Sequence, residues 1–189
     1  MSEGKITFVG MGKSRIIHSS ERFAFTVDRL CRHLIEEHGD FSDSCLIGIQ
    51  LGGVLLAERL NRRLEAMGVN KLPFGKLDIT FYRDDFRTRS KPLAAYPTEI
   101  DFLVEGKRVI LVDDVLYTGR TTVSAMAALQ HYGRPEQIEL LVLVDRRFRR
   151  NVPIQADYCG LKVDTLQDEY VSVEWAESDG KDQILLIGK

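Results

Sequence analysis

Arg108-Val109-Ile110-Leu111-Val112-Asp113-Asp114-Val115-Leu116-Tyr117-Thr118-Gly119-Arg120-Thr121-Thr122 is the stretch that decides the fold. Residues 109–112 are apolar without interruption, the pattern of a strand buried on both faces of a parallel sheet. Two carboxylates close the run, and a Gly/Thr-rich turn then opens a helix. Residues 117–122 offer small side chains, hydroxyls and free backbone N–H groups at that helix start, where the dipole also favours an anion. A phosphate fits there. Asp113 and Asp114 cannot both face it without repulsion, so their expected partners are neutral sugar hydroxyls or a metal-bound diol. The pattern therefore predicts a phosphorylated sugar as ligand. An acidic strand end that merely caps the next helix is the alternative.

Outward from this unit, the pattern repeats. Phe23, Val27, Leu30, Leu34 and Ile35 recur at helical spacing within residues 22–38, and Gly39 can end that helix. Residues 45–50 read as a short buried strand that leads through Gly52 and Gly53 into a second helix ending at Met67. Alternation over residues 74–83 predicts another strand, and residues 84–100, charged and carrying Pro92 and Pro97, a long exposed loop. Strand 107–113, helix 121–132 and strand 138–145 complete a βαβ order, which requires a parallel sheet with helices on its faces. Residues 150–183 suggest short strands and turns outside that sheet. Ligands of such sheets bind beyond the carboxyl ends of the strands, where the loops 50–53, 84–100 and 113–122 gather.

The chain has 189 residues, 44% of them hydrophobic, enough for one well-buried domain. A net charge of −2 gives no global pull toward nucleic acid, so any RNA contact must come from a local basic face. Cys31, Cys45 and Cys159 lack metal-ligand spacing and read as small buried hydrophobes in a reducing, cytoplasmic setting. No apolar run approaches a membrane span, and the first residues lack a signal-peptide pattern. His18, His33, His38 and His131 lie on polar stretches, without the spacing of a triad or metal cage, and are expected at the surface.

The stretch 112–121 resembles the binding motif for 5-phosphoribosyl 1-diphosphate (PRPP) of type I phosphoribosyltransferases. Asp78-Ile79-Thr80-Phe81-Tyr82-Arg83-Asp84-Asp85 narrows the resemblance to the pyrimidine-operon regulators that double as uracil phosphoribosyltransferases. Gly133-Arg134-Pro135, Leu143-Val144-Asp145-Arg146 and Val152-Pro153-Ile154-Gln155-Ala156-Asp157-Tyr158-Cys159-Gly160 agree with that branch. The resemblance implies one α/β domain over residues 1–189 with the type I fold: a central, mainly parallel sheet flanked by helices, and a small base-binding hood from residues 150–189. It implies transfer of phosphoribose from PRPP to a nucleobase, with uracil giving UMP in pyrimidine salvage. Two alternatives stand beside this, a nucleotide-responsive RNA regulator with little or no turnover and a purine phosphoribosyltransferase. Mg²⁺ would enter with PRPP rather than through a cage of side chains. The implied partners are PRPP, a base and possible leader RNA of pyrimidine genes, in a homodimer or tetramer.

Carried over position by position, Tyr117, Thr118, Gly119, Arg120, Thr121 and Thr122 bind PRPP together with Asp113 and Asp114, and Arg83 joins the two aspartates in the catalytic set. Leu51, Gly52 and Gly53 form the pyrophosphate loop, although a tight strand-to-helix turn explains the glycines equally well. Where the branch has Lys-Thr-Arg-Gly, this chain has Gln50-Leu51-Gly52-Gly53, two cations fewer. Arg83, Arg87, Arg89 and Lys91 are candidates to supply that charge; for the last three a solvated loop is the simpler reading. Asp145, Arg146, Tyr158, Cys159 and Gly160 fall on the base-binding hood. Arg29, Arg32 and Arg146 are the candidate RNA contacts, with residues 146–150 as the densest basic run. Phe148, Val152 and Ile154 and the apolar face of the first helix are candidate subunit contacts or core. Phosphoribosyl transfer calls for no nucleophilic side chain; the protein must position and stabilise.

Overall fold

The computed structural model describes residues 14–82, 96–165 and 168–188. Five strands form a wholly parallel sheet in the order β3-β2-β4-β5-β6: β2 (Ser44–Ile49), β3 (Phe74–Leu77), β4 (Arg108–Leu116), β5 (Gln137–Arg146) and β6 (Tyr158–Val163). Helices α1 (Ser20–His38) and α2 (Gly52–Ala66) cover one face, packing Phe23, Leu30, Leu34, Leu56 and Leu60 against Leu46, Ile110, Val112 and Leu141. Helix α3 (Arg120–Leu129) covers the other, setting Ala125, Ala128 and Leu129 on Ile47, Val109, Leu111 and Val142. Neighbouring residues of each strand thus feed opposite cores, which is why the strands read as continuous apolar runs.

The sequence boundaries hold where caps are local. Ser19 caps α1, its hydroxyl accepting the Arg22 N–H, and Gly39 ends it with φ of 58°. The strand expected over 74–83 stops at Leu77. The Asp78 carboxylate accepts both the N–H (3.2 Å) and the hydroxyl (2.7 Å) of Thr80, folding residues 80–82 into a 3₁₀ turn.

Two expectations are overturned. Residues 158–163 do not lie outside the main sheet: β6 pairs in parallel with β5, Leu141 opposite Tyr158 and Arg146 opposite Val163. The smaller sheet is instead β1-β8-β7, antiparallel, from β1 (Ser14–His18), β7 (Glu169–Glu174) and β8 (Gln183–Gly188), with a short helix α4 (Ala176–Asp179) between the last two. It takes one strand from the N-terminal part of the chain, which no local pattern announces. His38, expected at the surface, is buried. Its Nε2 lies 2.8 Å from Glu139, its Nδ1 2.8 Å from the Ser44 hydroxyl, and Tyr158 and Arg108 complete the network. Partners from four distant segments make burial of that ring tolerable. Cys31 and Cys45 are buried thiols, as expected, pushed up to about 12 and about 11 by desolvation. No described helix is long and apolar enough to cross a membrane.

Candidate active site

The chain leaves β2 toward β3 on one side and leaves β4 toward β5 on the other, so a crevice opens between the carboxyl ends of β2 and β4. On its β2 side stands the turn 50–53. A Cβ on Gly52 would strike the Asp114 carboxylate, and one on Gly53 the Val112 carbonyl oxygen. Glycine is therefore required for α2 to start against β4, and the same close approach sets Asp114 beside the turn. Leu51 projects outward, 54% exposed.

On the β4 side, Gly119 adopts φ of 85° and caps the N-terminus of α3. The loop encloses a cavity of about 290 Å³ lined by Asp113, Tyr117, Thr118, Gly119, Arg120, Thr121, Thr122 and Ser124 among others. Backbone N–H groups at the helix start, the α3 dipole and hydroxyls converge there, as an anion requires. Thr122 Oγ1 is buried and, among the described residues, has no hydrogen-bond partner. Such a group costs about 1–3 kcal/mol. A ligand oxygen in the cavity gives it its partner.

Asp113 lines this cavity while Asp114 faces Gly52, so the adjacent carboxylates look into different parts of the crevice. The strand's alternation reverses across them: Ile110 and Val112 pack toward α1 and α2, and beyond the pair it is Val115 that does so. Asp113 is 8% exposed and its Oδ1 accepts the Asp114 N–H at 3.0 Å. Desolvation, reinforced by the charge of Asp114, pushes Asp113 well above the usual carboxylate range. Burial raises Asp114 as well, against the backbone N–H of Val115. Both are poised for hydroxyl donors or a cation.

The basic run at 146–150 divides, Arg146 and Arg150 turning inward while Arg147 and Arg149 stay exposed. Arg146 is buried, its guanidinium 3.9 Å from the Tyr117 ring centroid and bonded to the Thr165 hydroxyl and the Glu169 carbonyl. Arg147 pairs with Asp164, Arg150 with Asp145. Phe148 remains 75% exposed, whereas Val152 and Ile154 pack at Gly119. The apolar face of α1 is core. Of the RNA candidates, Arg32 is exposed, Arg29 reaches the carbonyls of Cys159 and Gly160, and Arg146 is inside.

The hood candidates divide. Asp145 and Arg146 stand at the carboxyl edge of the sheet, but Tyr158, Cys159 and Gly160 lie within β6, and the Tyr158 hydroxyl is engaged with His38 and Glu139. Those three are strand residues of the sheet, not a cover over it. Arg83, with Arg87, Arg89 and Lys91, falls outside the described residues. Sequence reasoning gave Ser124 and Asn151 no role and read Val152 as a subunit contact or core residue; the fold brings all three to the loop from outside the motif.

The phosphoribosyl transferase domain model matches residues 14–178. The "Bifunctional protein PyrR" of Picosynechococcus sp. is 44% identical over 94% of this chain and 99% of its own; that of Halalkalibacterium halodurans is 42% identical over 92% and 97%. Among solved structures, a hypoxanthine phosphoribosyltransferase from Staphylococcus aureus superposes with a TM-score of 0.68 at 21% identity, covering 93% of this chain and 92% of that one. The enzyme of the same name from Trypanosoma cruzi gives 0.67 at 17%, covering 93% and 97%. At those identities the structural likeness speaks for the fold, and the curated relatives speak for the branch. This chain belongs to the phosphoribosyl transferase family, among the bifunctional PyrR proteins.

Proposed function

We propose that the protein transfers 5-phosphoribose from PRPP to uracil, forming UMP and diphosphate. The observation that carries this is the loop cavity at the start of α3, lined by Asp113 and by a buried Thr122 hydroxyl that has no hydrogen-bond partner among the described residues. The 5-phosphate occupies the loop, held by N–H groups of residues 118–122 and the Thr122 hydroxyl. Asp113 takes the ribose hydroxyls; Asp114, beside Gly52, faces the diphosphate side. Uracil N1 then bonds to the anomeric carbon as the bond to diphosphate breaks, and the N1 proton is lost. Held in this geometry, the reactants need positioning and charge stabilisation rather than a covalent relay.

Among the described residues no three His, Cys, Asp or Glu side chains converge on a point. Asp114, on the diphosphate side, is the carboxylate that would hold a Mg²⁺ at the crevice, with the remaining ligands from PRPP and water; the ion would offset diphosphate charge when bound. The branch's pyrophosphate-loop cations are absent at Gln50 and Gly52, so the arginines of 83–89 are the candidates for the remaining neutralisation. The smaller sheet, tied to the crevice by Arg146 through Glu169, serves as the hood over the base. The setting is the cytoplasm.

Incubation with PRPP, Mg²⁺ and separately uracil, hypoxanthine, guanine or xanthine tests the reading. UMP from uracil alone is the expected product. A purine nucleotide would move the substrate to the second class, and binding of PRPP without product from any base would leave a regulator.

A further inference from the structure

The segment between β5 and β6 carries no part of the PRPP motif, yet it grips the phosphate loop at consecutive residues. The Arg150 guanidinium donates through Nη1 to the carbonyls of Leu116 (3.2 Å) and Tyr117, and its Nη2 is paired with Asp145. Its Nε reaches the carbonyl of Ile154 at 3.2 Å, and Nη1 also meets that of Arg146 at 3.3 Å. One residue on, the Asn151 N–H donates to the Thr118 carbonyl at 2.9 Å. Next, Val152 closes on Gly119: a Cβ there would meet its Cγ2 at 2.6 Å. Residues 150–152 thus brace residues 116–119 from the side away from the cavity.

The direction of these bonds matters. A peptide unit is planar, so fixing the carbonyls of Leu116, Tyr117 and Thr118 fixes the N–H groups of Tyr117, Thr118 and Gly119 on the opposite edges of the same planes. With those carbonyls drawn outward to Arg150 and Asn151, the N–H groups stay free for an anion. The guanidinium fork suits this role because it satisfies several acceptors at once in a rigid plane. Asp145 balances its charge, so Arg150 acts as a geometric brace and not as a further phosphate ligand.

We infer that Arg150 is a positioning residue for PRPP: it presets the phosphate loop from behind by holding the carbonyls of Leu116 and Tyr117, without touching the substrate. This rests on the loop being the 5-phosphate site. Misplacing such a loop by about 1 Å is enough to weaken a well-positioned ligand by up to roughly a hundredfold.

The test measures PRPP affinity by calorimetry and steady-state rates in the wild type, Arg150→Ala and Arg150→Met, the last keeping the apolar stem should alanine fail to fold. The expected result is a roughly 10- to 100-fold rise in the Kd and KM for PRPP, with kcat at saturating PRPP within about threefold of wild type. Guanidinium chloride, well below the unfolding transition, should restore part of the PRPP affinity of Arg150→Ala, and sodium chloride at equal concentration should not. PRPP affinity within twofold of wild type in either folded variant overturns the inference. So does a parallel loss of kcat and affinity with a lowered melting temperature and no guanidinium rescue, which marks a merely structural residue. Failure of the wild type to bind PRPP would instead remove the phosphate-site reading itself.

Discussion

Asp113→Asn should make the free protein more stable while weakening its grip on PRPP. Asp113 is buried at the end of β4, its carboxylate beside that of Asp114, and both desolvation and that neighbour raise it above the usual range. A group whose folded-state pKa is raised binds more protons folded than unfolded, so its contribution to stability falls as pH rises from the ordinary Asp value of 3.8 through the folded pKa. Above the ordinary Asp range, holding a carboxyl at this position therefore costs stability, whether it keeps its proton or ionises beside Asp114. Asparagine keeps the size, can retain the bond from the Asp114 N–H, and removes one charge. Relief of this kind is worth about 0.5–2 kcal/mol, at about 2–4 °C in Tm per kcal/mol for a chain this long. Against that, exchanging charged hydrogen bonds to ribose hydroxyls for neutral ones costs about 1–2 kcal/mol, or roughly 5- to 30-fold in PRPP affinity. Thermal melts across pH 4 to 7, paired with PRPP titrations, read both. The Tm gain should be small at the acid end and grow toward neutrality. A variant that melts below the wild type at pH 7 would refute the reasoning about burial, and unchanged PRPP affinity would take Asp113 out of the ribose site.

Gly119→Val should fold yet lose PRPP binding, because φ of 85° and the approach of Val152 leave no room for a branched side chain without moving the loop; titration with PRPP checks it, and wild-type affinity would contradict the loop assignment. Thr122→Val removes the unpaired buried hydroxyl, so stability should hold or rise while PRPP affinity drops about tenfold; a marked loss of Tm without loss of affinity would assign the hydroxyl a structural partner instead. Burial holds His38 below its ordinary pKa of 6.5 despite Glu139, so the unfolded chain binds more protons there and stability should be lost as pH falls through that value; His38→Gln should flatten the pH dependence in denaturant titrations, and an unchanged slope would show that other groups set it. Leader RNA of pyrimidine genes should bind weakly, since Arg146 is buried and Arg29 is engaged with main-chain carbonyls, and sedimentation equilibrium should give a dimer; nanomolar, UMP-strengthened binding or a monomer at tens of micromolar would reverse these two expectations.

What the chain settles by itself is local and periodic. The apolar run before Asp113 and Asp114, the Gly/Thr turn after them and the helical spacing before Gly39 predict a parallel sheet with a phosphate loop at its edge, because burial on both faces, capping and φ > 0 each impose a residue type on a fixed position. The sequence also left open why Gly52 and Gly53 are there. Only contact with β4 answers that, since the demand comes from Asp114 and Val112 and not from the turn's own neighbours. Long-range pairing likewise decided that β6 joins the main sheet, that residues 14–18 complete the smaller one, and that His38 is buried with Glu139, Ser44 and Tyr158. The same holds for the basic run at 146–150. Charge along a sequence marks four arginines that favour water, and their fate depends on which carbonyls and carboxylates tertiary folding brings within reach. For Arg146 these are Thr165 and Glu169, and for Arg150 they are Asp145 and the back of the phosphate loop.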